Sequence, residues 1–188
     1  MRVNNAGLIK TMALVLVAGA ALMAPIGAKA EGILNGLSIR GGLYIPQNSG
    51  IRSLTDFGVW GGGIDYKLPF VPKAFNGDNW STSLSVDFHY SERKSGIFRS
   101  LPVSINQVYT FDEENGRSPF AGFCVTANTF GSTIPSGGSK TLTRFGAGLI
   151  VGMNMTKSFY VEGRYEWIDS HHVPASPSGF RGYVGYRF

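Results

Sequence analysis

The stretch Trp80-Ser-Thr-Ser-Leu-Ser-Val-Asp-Phe-His-Tyr90 limits what this chain can fold into more than any other feature. Trp80, Thr82, Leu84, Val86, Phe88 and Tyr90 fall on one side of a two-residue repeat, and Ser81, Ser83, Ser85, Asp87 and His89 on the other. A period of two belongs to a β-strand; at the 3.6-residue period of a helix the two sets would mix around the axis. Seven further segments alternate in the same way. Leu37, Ile39, Leu43 and Ile45 oppose Ser38, Arg40 and Tyr44; Trp60, Ile64, Tyr66 and Leu68 oppose Asp65 and Lys67. Leu101, Val103, Ile105, Tyr109 and Phe111 oppose Ser104, Asn106 and Thr110. Phe145, Ala147, Leu149, Val151 and Met153 oppose Arg144, Gly146, Gly148 and Gly152. Phe159, Val161, Tyr165 and Trp167 oppose Glu162, Arg164 and Glu166; Phe180, Val184, Tyr186 and Phe188 oppose Arg181, Tyr183 and Arg187. Pro119–Phe130 is the least regular, with ambiguous facing around Phe123-Cys124. Eight strands of about 9–12 residues result, a length that crosses a bilayer when tilted.

The distribution of charge separates a membrane barrel from a soluble one. The apolar face is aromatic towards its segment ends, at Trp60, Trp80, Tyr90, Phe159 and Trp167, the pattern of girdles at two membrane interfaces. The other face carries Arg40, Asp65, Lys67, Asp87, His89, Glu162, Arg164, Glu166, Arg181 and Arg187. A soluble barrel's apolar core does not hold such a set, because buried charge is costly unless paired. The interior of a membrane barrel is its polar side, and there the charges can pair. The predicted fold is therefore all-β: an eight-stranded antiparallel up-and-down transmembrane barrel. Its interior is just wide enough for side chains to fill, so a charge-paired plug is expected, with a narrow solute channel as the alternative.

Residues 1–30 read as an address. Arg2 and Lys10 flank a small, apolar run from Thr11 to Ala24, which Pro25 ends before Ala28-Lys29-Ala30. A basic start, a short apolar core and a small-x-small site predict a cleaved secretory signal, with the barrel occupying residues 31–188. Export to the outer membrane of a diderm bacterium follows. Without Arg2, Lys10 and Lys29 the 17 basic residues fall to 14 against 12 acidic ones. With no basic stripe left, nucleic acid is not an expected partner. The single Cys, Cys124, excludes a disulfide scaffold. The links Pro46–Asp56, Ser91–Ser100, Gly131–Thr141 and Asp169–Gly179 read as long outer loops. Glu113–Ser118 and Asn154–Lys157 read as short periplasmic turns, Asp112-Glu-Glu-Asn-Gly116 being a solvated one. Pro69–Asn79 breaks that asymmetry by its length.

The chain ends Phe180-Arg-Gly-Tyr-Val-Gly-Tyr-Arg-Phe188. The terminal Phe188, with Tyr186, Val184 and Phe180 behind it, resembles the insertion signal read by the barrel assembly machinery; Gly182 departs from it. Arg40-Gly-Gly-Leu-Tyr-Ile-Pro46, Pro119-Phe-Ala-Gly122, Phe145-Gly-Ala-Gly-Leu149 and Val161-Glu-Gly-Arg-Tyr165 are similar to stretches of the small outer-membrane β-barrel superfamily, which includes the OmpA transmembrane domain and the OmpW-like proteins. The resemblance implies a non-enzymatic scaffold with exposed loops, in contact with outer-membrane lipids and with the assembly machinery, and monomeric. No peptidoglycan-binding domain is expected beyond the barrel, so the resemblance does not imply an OmpA-type wall anchor.

Some barrels of this size modify lipid A, which directs attention to Glu166, Asp169, Ser170, His171, His172, Ser176 and Ser178. A hydrolase needs a hydroxyl beside a His oriented by an acid. The residue types are present, but the spacing is not the His-x-Ser-Asn of the deacylases, and a solvated loop is the plainer reading. A metal at His171-His172 is not expected, because neighbouring side chains on an extended chain diverge. Gly61–Gly63 is not a phosphate cradle, since no helix or P-loop Lys follows it. No cofactor is expected.

Overall fold

The computed structural model describes residues 35–55, 57–69, 71, 79–93, 96–133, 139–169 and 176–188. The predicted signal at 1–30, Asp56, Ser170, His171, His172 and most of Pro69–Asn79 lie outside these. Eight strands form one closed antiparallel barrel in sequence order. They are β1 (Leu37–Pro46), β2 (Val59–Lys67), β3 (Trp80–Arg93), β4 (Gly96–Thr110), β5 (Ser118–Thr133), β6 (Ser139–Asn154), β7 (Phe159–Ile168) and β8 (Gly179–Arg187). Pairing of β1 with β8, from Ser38↔Arg187 to Pro46↔Gly179, closes the ring and removes both edges.

The alternation sets the wall. Trp60, Phe145, Leu149, Val151, Phe159 and Val184 face outwards and are exposed, whereas Arg40, Asp87, Arg164, Glu166 and Arg181 face inwards and are buried. The irregular fifth segment resolves with Phe123 and Val125 outside and Cys124, Thr126 and Asn128 inside. Thr82 keeps its place in the outward row but is buried, donating to Gln107 Oε1 at 2.7 Å.

Strand length departs from expectation. β1, β2, β7 and β8 have 9 or 10 residues, but β3, β4, β5 and β6 have 14 to 16. The extra length lies at the end opposite Phe188, where Ser91–Ser100 and Gly131–Thr141 were expected as loops. Most of both is strand instead, paired from Tyr90↔Arg99 to Arg93↔Gly96 and from Gly131↔Thr141 to Thr133↔Ser139. Ser, Thr, Gly and Arg predominate there and the apolar Ile97 and Phe98 are adjacent in the sequence, so no apolar alternation marks the strand. Half of the wall therefore stands higher, by roughly 15 Å at ~3.3 Å per residue with tilt.

The first predicted loop, Pro46–Asp56, also differs, because it contains a short helix, α1 (Ser49–Thr55). Asn48 Oδ1 accepts from the Gly50 and Ile51 amides at 2.9 and 3.3 Å, a side-chain N-cap. Ile51 and Thr55 are one turn apart and both buried, so α1 sits across the tall-walled mouth. Among the described residues no helix is long and apolar enough to cross a membrane; this says nothing of strands.

At the other end β4 and β5 meet in a tight turn. Glu114 and Arg117 exchange backbone bonds of 2.8 and 3.0 Å, and Asn115 and Gly116 both have positive φ, 53° and 77°. That pair belongs to a type I′ turn, whose twist suits a hairpin. A β-branched residue is strained in this left-handed conformation. Gly116→Val is expected to destabilise the barrel by about 1–2 kcal/mol, read as a lower urea midpoint in lipid vesicles, while Asn115→Gly leaves the midpoint near wild type.

Candidate functional site

The inward positions form three layers. Phe120, Cys124, Ile150 and Tyr160 make an apolar plate at the end that carries Phe188, with Val108 packed against it. Tyr44, Val59 and Phe98 make a second plate at the tall end, which Ile51 of α1 completes. The charges lie between the plates. Apolar layers on both sides bury the arginines and lower the local dielectric, which strengthens each pair and makes any unpaired charge costly, while Asp65 keeps 18% side-chain exposure.

Arg40 on β1 is the hub. Its Nε and one terminal nitrogen bond the two Asp87 oxygens of β3, each at 2.7 Å. Its other terminal nitrogen bonds Glu162 Oε1 of β7 at 3.2 Å and lies 3.9 Å from Asp65 Oδ2 of β2. The Arg40–Asp87 contact is the bidentate arrangement that suits a planar guanidinium. Arg164 on β7 bonds the same Glu162 oxygen at 3.1 and 2.9 Å and Asn106 Oδ1 of β4 at 3.1 Å, with Glu166 Oε1 4.0 Å away. Arg181 on β8 pairs with Glu166; both side chains are fully buried. Asp65, the carboxylate farthest from a cation, is served by Asn106 Nδ2 at 3.0 Å and Ser83 Oγ at 3.1 Å. These bonds join strands that are not neighbours in the sheet: β1 to β3, β1 to β7 and β4 to β7.

Rings line the arginines. Arg40 lies 4.7 Å from the Tyr183 ring centroid and Arg181 4.9 Å from that of Tyr44. His89, fully buried, shares a 3.2 Å hydrogen bond between Nε2 and the Tyr183 hydroxyl. Arg187 stacks on Tyr160 at 4.6 Å and donates to Asn154 Oδ1 at 2.7 Å, near the lower plate. Of the sequence-predicted lumen set, Arg40, Asp65, Asp87, Glu162, Arg164, Glu166 and Arg181 come together; His89 touches their edge through Tyr183. Lys67 does not join them, because β2 ends there and its side chain is exposed. Sequence reasoning left out Asn106, Tyr44 and Tyr183. All three lie on the inward parity, which was the signal available.

Trp60, Trp80, Tyr90, Phe159 and Trp167 lie on the outward face, Trp60 being 74% exposed. Phe180, Val184 and Phe188 are outward and exposed, with Tyr186 half-buried in the same row. Nothing among the described residues requires a glycine at 182, where a Cβ would make only ordinary contact with the Phe180 ring at 3.7 Å. Gly182 pairs with Gly163, and the Phe180 ring lies over both positions, 3.2 Å from where a Cβ at 163 would sit.

The candidate hydrolase set does not assemble among the described residues. Glu166 is paired with Arg181 inside the barrel. The Ser176 and Ser178 hydroxyls bond each other at 2.7 Å and the Ile168 carbonyl at 3.0 and 3.3 Å, and Ser178 Oγ accepts the Ile168 amide at 2.8 Å, so they cap the ends of β7 and β8. His171 and His172 lie outside the described residues. Among the described residues no group of three His, Cys, Asp or Glu side chains could hold a metal ion.

No family model matches the chain, and no curated protein matches it. Solved structures do. Neisserial surface protein A superposes with a TM-score of 0.56 at 12% identity, over 81% of this chain and 96% of that one. The N-terminal β-barrel domain of Pseudomonas aeruginosa OprF gives 0.53 at 15% identity, over 82% and 98%. The chain thus has the fold of the small eight-stranded outer-membrane barrels, the OmpA-like architecture.

Removing Arg40 strands Asp87 between the plates and leaves Glu162 to Arg164 alone. Arg40→Ala is expected to cost about 3–5 kcal/mol, the range for breaking a buried pair, by urea unfolding followed through tryptophan fluorescence. Arg40→Met combined with Asp87→Leu recovers a large part of that loss.

Proposed function

We propose that this protein is an outer-membrane barrel that works as a closed, non-enzymatic, monomeric scaffold, presenting α1 and the tall β3–β6 wall at the cell surface. The observation that carries this reading is the filled lumen: three arginines whose side chains are at most 1% exposed, held by carboxylates between two apolar plates. A conducting pore needs a continuous wet path, and the paired side chains occupy it. An enzyme needs an accessible nucleophile beside a base, and Ser176 and Ser178 are instead spent on backbone capping. The outward apolar row supports contact with lipid acyl chains, and the exposed Phe180, Val184 and Phe188 support recognition by the barrel assembly machinery. In this orientation the end with Phe188 faces the periplasm, and the tall end faces out.

Conductance tests the reading. The refolded barrel, checked by heat-sensitive gel mobility, is expected to stay silent in a planar bilayer. Reproducible openings whose size changes on Arg164→Ala would replace the scaffold with a narrow channel. Altered lipid A in cells carrying the protein, lost on His172→Ala, would replace it with a lipid-modifying enzyme.

A further inference from the structure

The outward face of the tall wall carries a cation where the apolar band stops. Arg99 on β4 lies in one register row with Tyr90 on β3, Gly131 on β5 and Thr141 on β6. Its guanidinium reaches along this row to donate to Thr141 Oγ1 at 3.4 Å, above the buried Gly131. One row nearer the middle of the barrel, the Thr129 and Thr143 hydroxyls face outwards, 2.8 Å apart. Next below comes Phe145, 71% exposed, at the top of the apolar row. Glu92, the carboxylate of this face, accepts the Tyr90 hydroxyl at 2.7 Å. At this end Arg52, Arg93, Arg99 and Arg144 outnumber Glu92 and Asp169 among the described residues.

We propose that Arg99, with the Thr129, Thr141 and Thr143 hydroxyls beside it, seats the phosphorylated headgroup of an outer-leaflet lipid against the outside of the wall. The inference rests on the membrane orientation proposed above. A lipid whose acyl chains lie along Phe145 and Leu149 places its headgroup at the height of the threonine pair and Arg99. Guanidinium is the side chain best matched to phosphate, and hydroxyls fill the remaining acceptor sites. The long stem of an outward arginine at this depth carries its charge to the interface, where a cation on a barrel wall costs little.

The test uses the full chain refolded in detergent, with folding verified by gel mobility. It is offered diphosphorylated lipid A or the same lipid with its phosphates removed, and native mass spectrometry reads the fraction of barrels carrying one lipid. The wild type is expected to hold the phosphorylated form about fivefold more often, the effect of roughly one charge-assisted bond. Arg99→Gln brings the two forms to parity, and Arg99→Lys retains an intermediate preference. Equal loading of wild type and Arg99→Gln overturns the proposal, and if Arg99→Gln misfolds, Arg99→Lys with wild-type preference together with Thr129→Val/Thr143→Val at wild-type loading does the same. Displacement of the lipid by an equal concentration of inorganic phosphate overturns the lipid source in favour of a free anion. A chain that folds but does not insert into vesicles removes the membrane reading and this inference together; insertion with no effect of Arg99 removes this inference alone.

Discussion

A guanidinium sealed inside a protein has to be met by carboxylates within reach, and the barrel is arranged around meeting three of them. Arg40 reaches strands two places away on either side, to Asp87 and to Glu162, and Arg164 reaches across to Asn106. The sheet alone ties each strand only to its neighbours. These crossing bonds add ties through the lumen and make the cross-section specific. The apolar plates above and below determine their strength, since the same pairs exposed to water would contribute little. The plates and the charges therefore depend on one another: without Ile51 and Phe98 at the mouth, water would reach Arg181 and Glu166.

The outer face answers a different solvent with the same two-residue period. Every outward apolar side chain has an inward neighbour that is polar, small or aromatic, and pairing of β1 with β8 leaves neither end strand with an open edge. On the proposed reading this is what a bilayer demands, because lipid offers no hydrogen bonds to a strand edge. Where the wall rises above the apolar band, Ser, Thr, Gly and Arg predominate on its outer face. There the cross-strand hydroxyl pairs Thr129–Thr143 and Thr133–Ser139 continue the sheet on its own hydrogen bonds. This polar wall and α1 are the parts of the molecule in which surface function would reside.

Which residues face in and which face out was legible in the sequence, because parity is a local property. Arg40, Asp87, Arg164 and Arg181 could each be assigned to the interior from their neighbours alone. Their partners could not. Pairing depends on the stagger of eight strands, which no single segment encodes, so Asn106 looked like one more polar residue and Lys67 looked like a lumen charge. The tall wall was invisible because its residues do not alternate: polar residues and Gly fill most of Ser91–Ser100 and Gly131–Thr141, and the apolar Ile97 and Phe98 stand side by side in the sequence, one on each face. α1 is too short to show helical periodicity, although Asn48 ahead of Ile51 and Leu54 carries the signature of a capped turn. Outside the last strand, the candidate triad near His171 rested on residue types without geometry, and Ser176 and Ser178 prove to be capping groups.

The central claim is that lipid lies outside this wall and paired charge inside it. Single spin labels placed in turn from Phe145 to Met153 on β6, in the protein refolded into lipid vesicles, measure it most directly. Oxygen accessibility should peak at 145, 147, 149, 151 and 153 and fall at 146, 148, 150 and 152, with a water-soluble relaxant excluded from both sets at mid-depth. A flat profile, or one with the odd positions shielded from oxygen and the even ones open to the aqueous relaxant, would contradict it.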